Sequence, residues 1–225
     1  MTKSPISAAL FDIDGTLVDS NYLHVEAWSH ALADLGIGVD QWRIHRMIGM
    51  DSSKLLETVL GPRLDELGDE AKRLNAEYYE ALQPRLRVFE GGIELLEALT
   101  AHDVTTVLAT SAPQEELDVL LRVLDAGDAV AYVTSAEDVD TAKPEPDIVR
   151  VALSRAGTRA SRSIMVGDSI WDAQAAGRAG VDCIGVRSGG FSAGELRDAG
   201  AIAVYDDVAQ LLERLDSSPF ARLWS

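Results

Sequence analysis

Two aspartates stand two residues apart in Asp12-Ile13-Asp14-Gly15-Thr16, directly after the apolar run from Ile6 to Phe11. A strand repeats every two residues, so both carboxylates would leave its end on the same side. So paired, one can attack phosphorus and form an aspartyl-phosphate. Its neighbour can hand a proton to the leaving oxygen and later take one from water. Gly15 permits a sharp turn close to an anion, and Thr16 adds a hydroxyl. The same residues also suit an ordinary Asp-Gly turn after a strand.

Further groups of matching chemistry recur along the chain. The run Val104 to Ala109 leads into Thr110-Ser111, where hydroxyl and backbone N–H groups can hold a phosphate oxygen, or where Ser111 can cap a helix. Lys143 sits in Thr141-Ala142-Lys143-Pro144-Glu145-Pro146-Asp147, whose prolines restrict the backbone around it. A lysine held in that way can neutralise phosphate charge; most isolated lysines are simply solvated. In Ile164-Met165-Val166-Gly167-Asp168-Ser169-Ile170-Trp171-Asp172, Asp168 ends an apolar run and Asp172 follows one helical turn later. Both could face a common cation, and such oxygen ligands suit Mg²⁺. Alternatively Asp168 caps a helix and Asp172 favours its N-terminal dipole.

The elements that must carry these residues follow from periodicity. Short apolar runs at Ile6–Phe11, Val104–Ala109, Ser163–Val166, Val181–Val186 and Ala201–Val204 alternate with helical patterns. Leu117, Leu120, Leu121 and Leu124 follow Pro113 at helical spacing, and Ile148, Ala152 and Ala156 end at Gly157. This alternation predicts an α/β fold, a doubly wound parallel sheet with its sites at the carboxyl ends of the strands. Residues 17–83 break the pattern: Leu23, Ala27, Ala31, Leu32 and Leu35 trace one helical face and Leu74 to Leu82 another. The expectation is a core of residues 1–16 and 84–225 with a small helical cap, 17–83, inserted after the first strand. For Ser217 to Ser225 the pattern leaves packing and fraying open.

Composition bounds the function classes. With 20 Lys and Arg against 37 Asp and Glu the formal net charge is −17, which argues against a nucleic-acid surface. No apolar run approaches the roughly 20 residues that cross a membrane. Met1 to Ser7 lack the basic and apolar regions of a secretory leader, so the cytoplasm is the expected compartment. The single cysteine, Cys183, forbids an internal disulfide and reads as core. An acidic chain that binds a phosphate must overcome its own field locally.

Taken in order, Asp12-Ile13-Asp14-Gly15-Thr16, Thr110, Lys143 and Gly167-Asp168-Ser169-Ile170-Trp171-Asp172 resemble the four motifs of the haloacid dehalogenase-like superfamily. The stretch from Asp19 to Trp28 resembles the cap opening of its β-phosphoglucomutase and phosphoglycolate phosphatase group. The resemblance implies a Rossmann-like core and a Mg²⁺-dependent phosphatase acting on a small phosphorylated metabolite such as a sugar phosphate or phosphoglycolate. It implies Asp12 as nucleophile and metal ligand, Asp14 as acid and base and as a backbone-carbonyl ligand, and Asp168 as a further metal ligand. Gly15, Thr110, Ser111 and Lys143 would hold the phosphate, and Asp172 would stand behind the metal or close to it, orienting Lys143. Mg²⁺ and Lys143 would then supply positive field only where the phosphate binds.

Departures from the family pattern narrow the reading. Dehalogenases do not keep an aspartate at the place of Asp14. Mutases carry a cap arginine where Ser52 stands here, although Lys54 or Arg46 could substitute, so a sugar-phosphate mutase is the alternative and a non-catalytic phosphate-binding regulator the third reading. Phosphonate hydrolysis would want a cap lysine that is not where it is expected. His24, Trp28, Ser52 and the loop from Gly49 to Ser53 are the substrate-facing candidates of the cap, although Trp28 on a helical face reads more readily as core and His24 as a structural or solvated residue. Trp171 suits either the pocket entrance or packing under the sheet. A monomer is the expectation and a dimer the alternative.

Overall fold

The computed structural model describes residues 6–224; the leader reading of residues 1–5 and the terminal Ser225 lie outside them. In chain order the elements are β1 (Ser7–Phe11), α1 (Asn21–Asp34), α2 (Gln41–His45), α3 (Ser52–Leu60), α4 (Leu64–Leu82), α5 (Gly92–Ala101), β2 (Val104–Ala109) and α6 (Gln114–Leu124). Then come β3 (Tyr132–Thr134), α7 (Asp147–Ala156), β4 (Ser163–Gly167), α8 (Ile170–Ala179), β5 (Asp182–Val186), α9 (Ala193–Asp198), β6 (Ala201–Tyr205) and α10 (Val208–Glu213). The chain divides into two compact units, one running to Asp19 and resuming at Arg87, the other Ser20–Leu86.

The first unit is built on a six-stranded sheet of order β3-β2-β1-β4-β5-β6, all pairs parallel. Every residue of β1 is buried, as a central parallel strand covered on both faces requires, which is why all of it but Ser7 is apolar. Strand alternation sends Ala8 and Leu10 into a cluster with Val107, Ile148, Met165, Ala173 and Cys183. Phe11 turns to the other side, where its ring lies 6.3 Å from that of Phe220. The chain's last stretch therefore packs: Phe220 is buried, and the Ser7 hydroxyl donates to the Leu223 carbonyl at 3.0 Å.

The chain winds outward from β1 through β2 to β3, then returns to the other side of β1 and runs through β4 and β5 to β6. Between β1 and β4 the direction of winding reverses, the place at whose carboxyl edge open parallel sheets carry their sites. The strand β3 is not foreseen in the sequence. It has three residues, Tyr132 is exposed, and it lies at the sheet edge, where the Arg155 guanidinium donates to the Val133 carbonyl and blunts further pairing.

The second unit is helical, with a core of its own. Val25, Trp28, Leu32, Ile44, Leu55, Leu56 and Ala71 pack together, and Trp28 is a buried member of that core. On a neighbouring face of α1 the His24 ring stacks on Tyr79 of α4 with centroids 4.0 Å apart. No helix among the described residues is long and apolar enough to cross a membrane.

Candidate active site

After β1 the chain folds into a tight turn around one acceptor. The Ile13 carbonyl receives the N–H groups of Thr16, Leu17 and Val18 at 3.2, 2.9 and 3.0 Å. Gly15 makes the turn possible with φ of +72°, a value that strains any residue carrying a Cβ. Asp12 is buried, its N–H donating to the Val166 carbonyl of β4 at 3.0 Å, while Asp14 is half-buried. The registers Phe11↔Leu108 and Phe11↔Val166 bring Thr110 and Asp168 to the same carboxyl edge as Asp12, at the point where the winding reverses.

Lys143 is the buried cation of this edge, with 1% of its surface exposed. Its Nζ lies 2.8 Å from Asp12 Oδ1 and 2.7 Å from Asp172 Oδ1. Arg178 of α8 ties down the lysine's loop, donating to the Pro144 carbonyl at 3.2 Å and to Glu145 Oε1 at 2.6 Å.

Asp172 uses its other oxygen locally. Its Oδ2 accepts from the Ser169 N–H at 3.1 Å and from the Ser169 hydroxyl at 2.6 Å, and the Asp172 N–H donates back to Ser169 Oγ at 3.3 Å. This is a capping box at the start of α8, with Ser169 rather than Asp168 as the cap. The approach of Asp172 to the chain leaves no room at Gly167, where an added methyl would lie 2.7 Å from Oδ2 and collide with the carbons behind it.

Asp168 is buried and receives the Thr16 hydroxyl on Oδ1 at 3.1 Å. Asp12, Asp168 and Asp172 each offer an oxygen within 4.8 Å of the others. Burial pushes the Asp12 carboxyl up to about 7; the Lys143 ammonium opposes that rise, and the charges of Asp172 and Asp14 add to it. Burial also opposes the charge on Lys143, yet Asp12 and Asp172 outweigh it and hold the ammonium above the usual lysine range. Three buried carboxylates with one ammonium leave an excess of negative charge, and hard oxygen donors of this kind fit a divalent cation. Asp12, Asp168 and Asp172 are the buried carboxylates that could hold it.

On the neighbouring strand Thr110 is buried and its Oγ1 accepts the Ala112 N–H at 3.0 Å, so the hydroxyl proton remains available to donate. The Ser111 hydroxyl is buried and has no partner among the described residues. It does not cap α6: Pro113 holds the chain extended, with φ −59° and ψ 155°, and the helix begins only at Gln114. The half-buried Trp171 likewise buries its indole N–H without a partner among the described residues. His24 and Ser52 belong to the helical unit, Ser52 as the exposed first residue of α3.

Two residues at the sheet edge carry no signal of their own in the sequence. Ser188, just after β5, donates its hydroxyl to the Gly15 carbonyl at 2.6 Å, and Gly189 lies against Asp168. The one available clue is position, a Ser-Gly-Gly step directly after an apolar strand of the same parallel sheet.

Comparison with known proteins agrees with this geometry. A family model described as haloacid dehalogenase-like hydrolase matches residues 9–186. A phosphoglycolate phosphatase of Rhodospirillum rubrum is 31% identical over 214 residues, covering 91% of this chain and 88% of the relative. Pyrophosphatase PpaX of Bacillus velezensis is 30% identical over 186 residues, covering 83% of this chain and 85% of the relative. The crystal structure of a hydrolase from Pseudomonas syringae superimposes with a TM-score of 0.88 at 35% identity, over 94% of this chain and 98% of that one. The chain belongs to the haloacid dehalogenase-like hydrolase family.

Proposed function

We propose that this chain is a Mg²⁺-dependent phosphatase that hydrolyses a small phosphorylated metabolite through an aspartyl-phosphate on Asp12. The observation that carries the reading is the buried Lys143 ammonium held between Asp12 and Asp172, beside Asp168, at the point where the sheet's winding reverses. The relatives named for phosphoglycolate and pyrophosphate chemistry support the substrate class without naming the leaving group.

Lys143 engages Asp12 Oδ1, which leaves Oδ2 as the attacking oxygen. Asp12 bonds to phosphorus as the bond to the leaving oxygen breaks, and Asp14 gives its proton to that oxygen. Water then attacks phosphorus, Asp14 takes the water's proton, and the bond to Asp12 breaks to release inorganic phosphate. Thr110 and Ser111 donate to the phosphoryl oxygens; the Thr110 proton left over by its bond from Ala112 and the Ser111 hydroxyl without a partner among the described residues support this. Asp12 and Asp168 would hold Mg²⁺, with the Asp14 carbonyl as a further ligand. Bound there, the ion supplies positive charge to the phosphoryl group as it is transferred. Asp172 keeps Lys143 in place, and residues of the helical unit, His24 and Ser52 among them, select the leaving group.

The test is phosphate release from a panel of sugar phosphates, phosphoglycolate, pyrophosphate, nucleotides and p-nitrophenyl phosphate, with and without Mg²⁺. We expect release with Mg²⁺ only, and loss of at least about 10³-fold in Asp12→Asn. Full activity in that variant, or conversion of one sugar phosphate into its isomer without release, would overturn the reading.

A further inference from the structure

We infer that the Ser188–Gly189 step after β5 is a positioning element that sets the Asp168 carboxylate for a divalent cation. The inference rests on the metal reading of the site and adds two residues that none of the four motifs contains.

The ends of three strands are joined here in a closed circuit. From β1, the Gly15 carbonyl accepts the Ser188 hydroxyl at 2.6 Å, and the next residue, Thr16, donates to Asp168 Oδ1 at 3.1 Å. From β4 comes Asp168, and from β5 the segment that places Gly189 against it. A methyl built at Gly189 would fall on the Asp168 carboxylate and still be only 2.8 Å from its Cβ. The backbone at Gly189 lies outside the left-handed region, so its conformation does not demand glycine; the space taken by Asp168 does.

The loop is fastened on its far side as well. The Arg187 N–H donates to the Asp206 carbonyl at 3.2 Å, its guanidinium pairs with the Asp206 carboxylate at 2.6 Å, and Phe191 is buried. A side chain at position 189 therefore displaces Asp168 rather than the loop. Thr16 holds one oxygen of Asp168 and Gly189 lies against the other, so the carboxylate is kept in one orientation. Residues that orient a metal ligand without touching the metal typically change its affinity by about 10- to 100-fold when altered.

The experiment measures Mg²⁺ and Ca²⁺ dissociation constants by calorimetry, without substrate, for the wild type, Gly189→Ala, Ser188→Ala and a control, Gly194→Ala. Circular dichroism checks each fold. We expect Gly189→Ala to weaken Mg²⁺ binding at least about tenfold and the control to leave it unchanged. Ser188→Ala, which adds no bulk, should weaken Mg²⁺ about two- to fivefold and shift preference toward Ca²⁺, the larger ion that tolerates a looser cage. If Gly189→Ala does not fold, the changed Mg²⁺-to-Ca²⁺ ratio in Ser188→Ala decides the matter. Folded variants with wild-type constants and ratio would overturn the inference while leaving the metal reading intact. A wild type that binds neither ion would remove both.

Discussion

At Asp12 two requirements conflict. The carboxylate must be ionised to attack, yet burial pushes its titration up to about 7 against the pull of Lys143. In the metal-free chain the folded state thus holds a proton on Asp12 that the unfolded chain gives up near the ordinary value of 3.8. Between these values the folded state binds this proton more tightly, so the contribution of Asp12 to stability falls as pH rises from about 4 to about 7. We expect a loss on the order of 1–4 kcal/mol across that window in urea unfolding with chelator present, and a much flatter profile in Asp12→Asn. An unchanged slope in the variant would show that another group carries the effect. Residue identity told much in the sequence and residue duty less. Asp172 reads equally as a cation-facing or a helix-favouring carboxylate, and the structure gives it a helix-capping oxygen and a lysine-holding one. One-dimensional spacing cannot show that a carboxylate divides its oxygens.

Among the elements, α8 couples fold to chemistry, because the turn that starts it also fixes Asp172 and through it Lys143. Ser169→Ala removes the cap and one of the donors to Asp172 Oδ2. The expected cost is about 1 kcal/mol, seen as a fall in Tm of roughly 2–4 °C. The kcat for phosphate release should fall further than that loss explains, since Lys143 then rests on a less firmly held partner; an unaltered kcat would argue that Asp172 needs no such support. The strands differ in how plainly they announce themselves. Fully buried strands such as β1 and β4 are apolar but for the serine that opens each, and the polar residues that follow them mark their ends. The edge strand β3 is made of strand-favouring Tyr, Val and Thr, but it is half solvated and only three residues long, too short for a strand pattern to show. The Ser188–Gly189 step was illegible for another reason: its partners, Gly15 and Asp168, lie far away in sequence and meet it only because β1, β4 and β5 are neighbours in the sheet.

Across the whole molecule the net charge of −17 works against any phosphorylated substrate before it reaches the site. Raising ionic strength from about 0.01 to 0.15 M shortens the screening length from roughly 30 to 8 Å. At saturating, fixed Mg²⁺ we expect KM to fall several-fold over that range while kcat holds; a KM that rises throughout would mean that the local cations, not the global field, govern approach. The same crowded geometry also bears on how the chain tolerates change. Gly167 contributes no side chain to any step, yet Asp172 fills the only space a side chain there would have. In a survey of every single substitution, that silent position should prove as intolerant as the aspartates themselves. Intolerance at this sheet edge thus records the absence of room as faithfully as the presence of chemistry, and a map of tolerated substitutions would draw the outline of the catalytic groups as well as the groups.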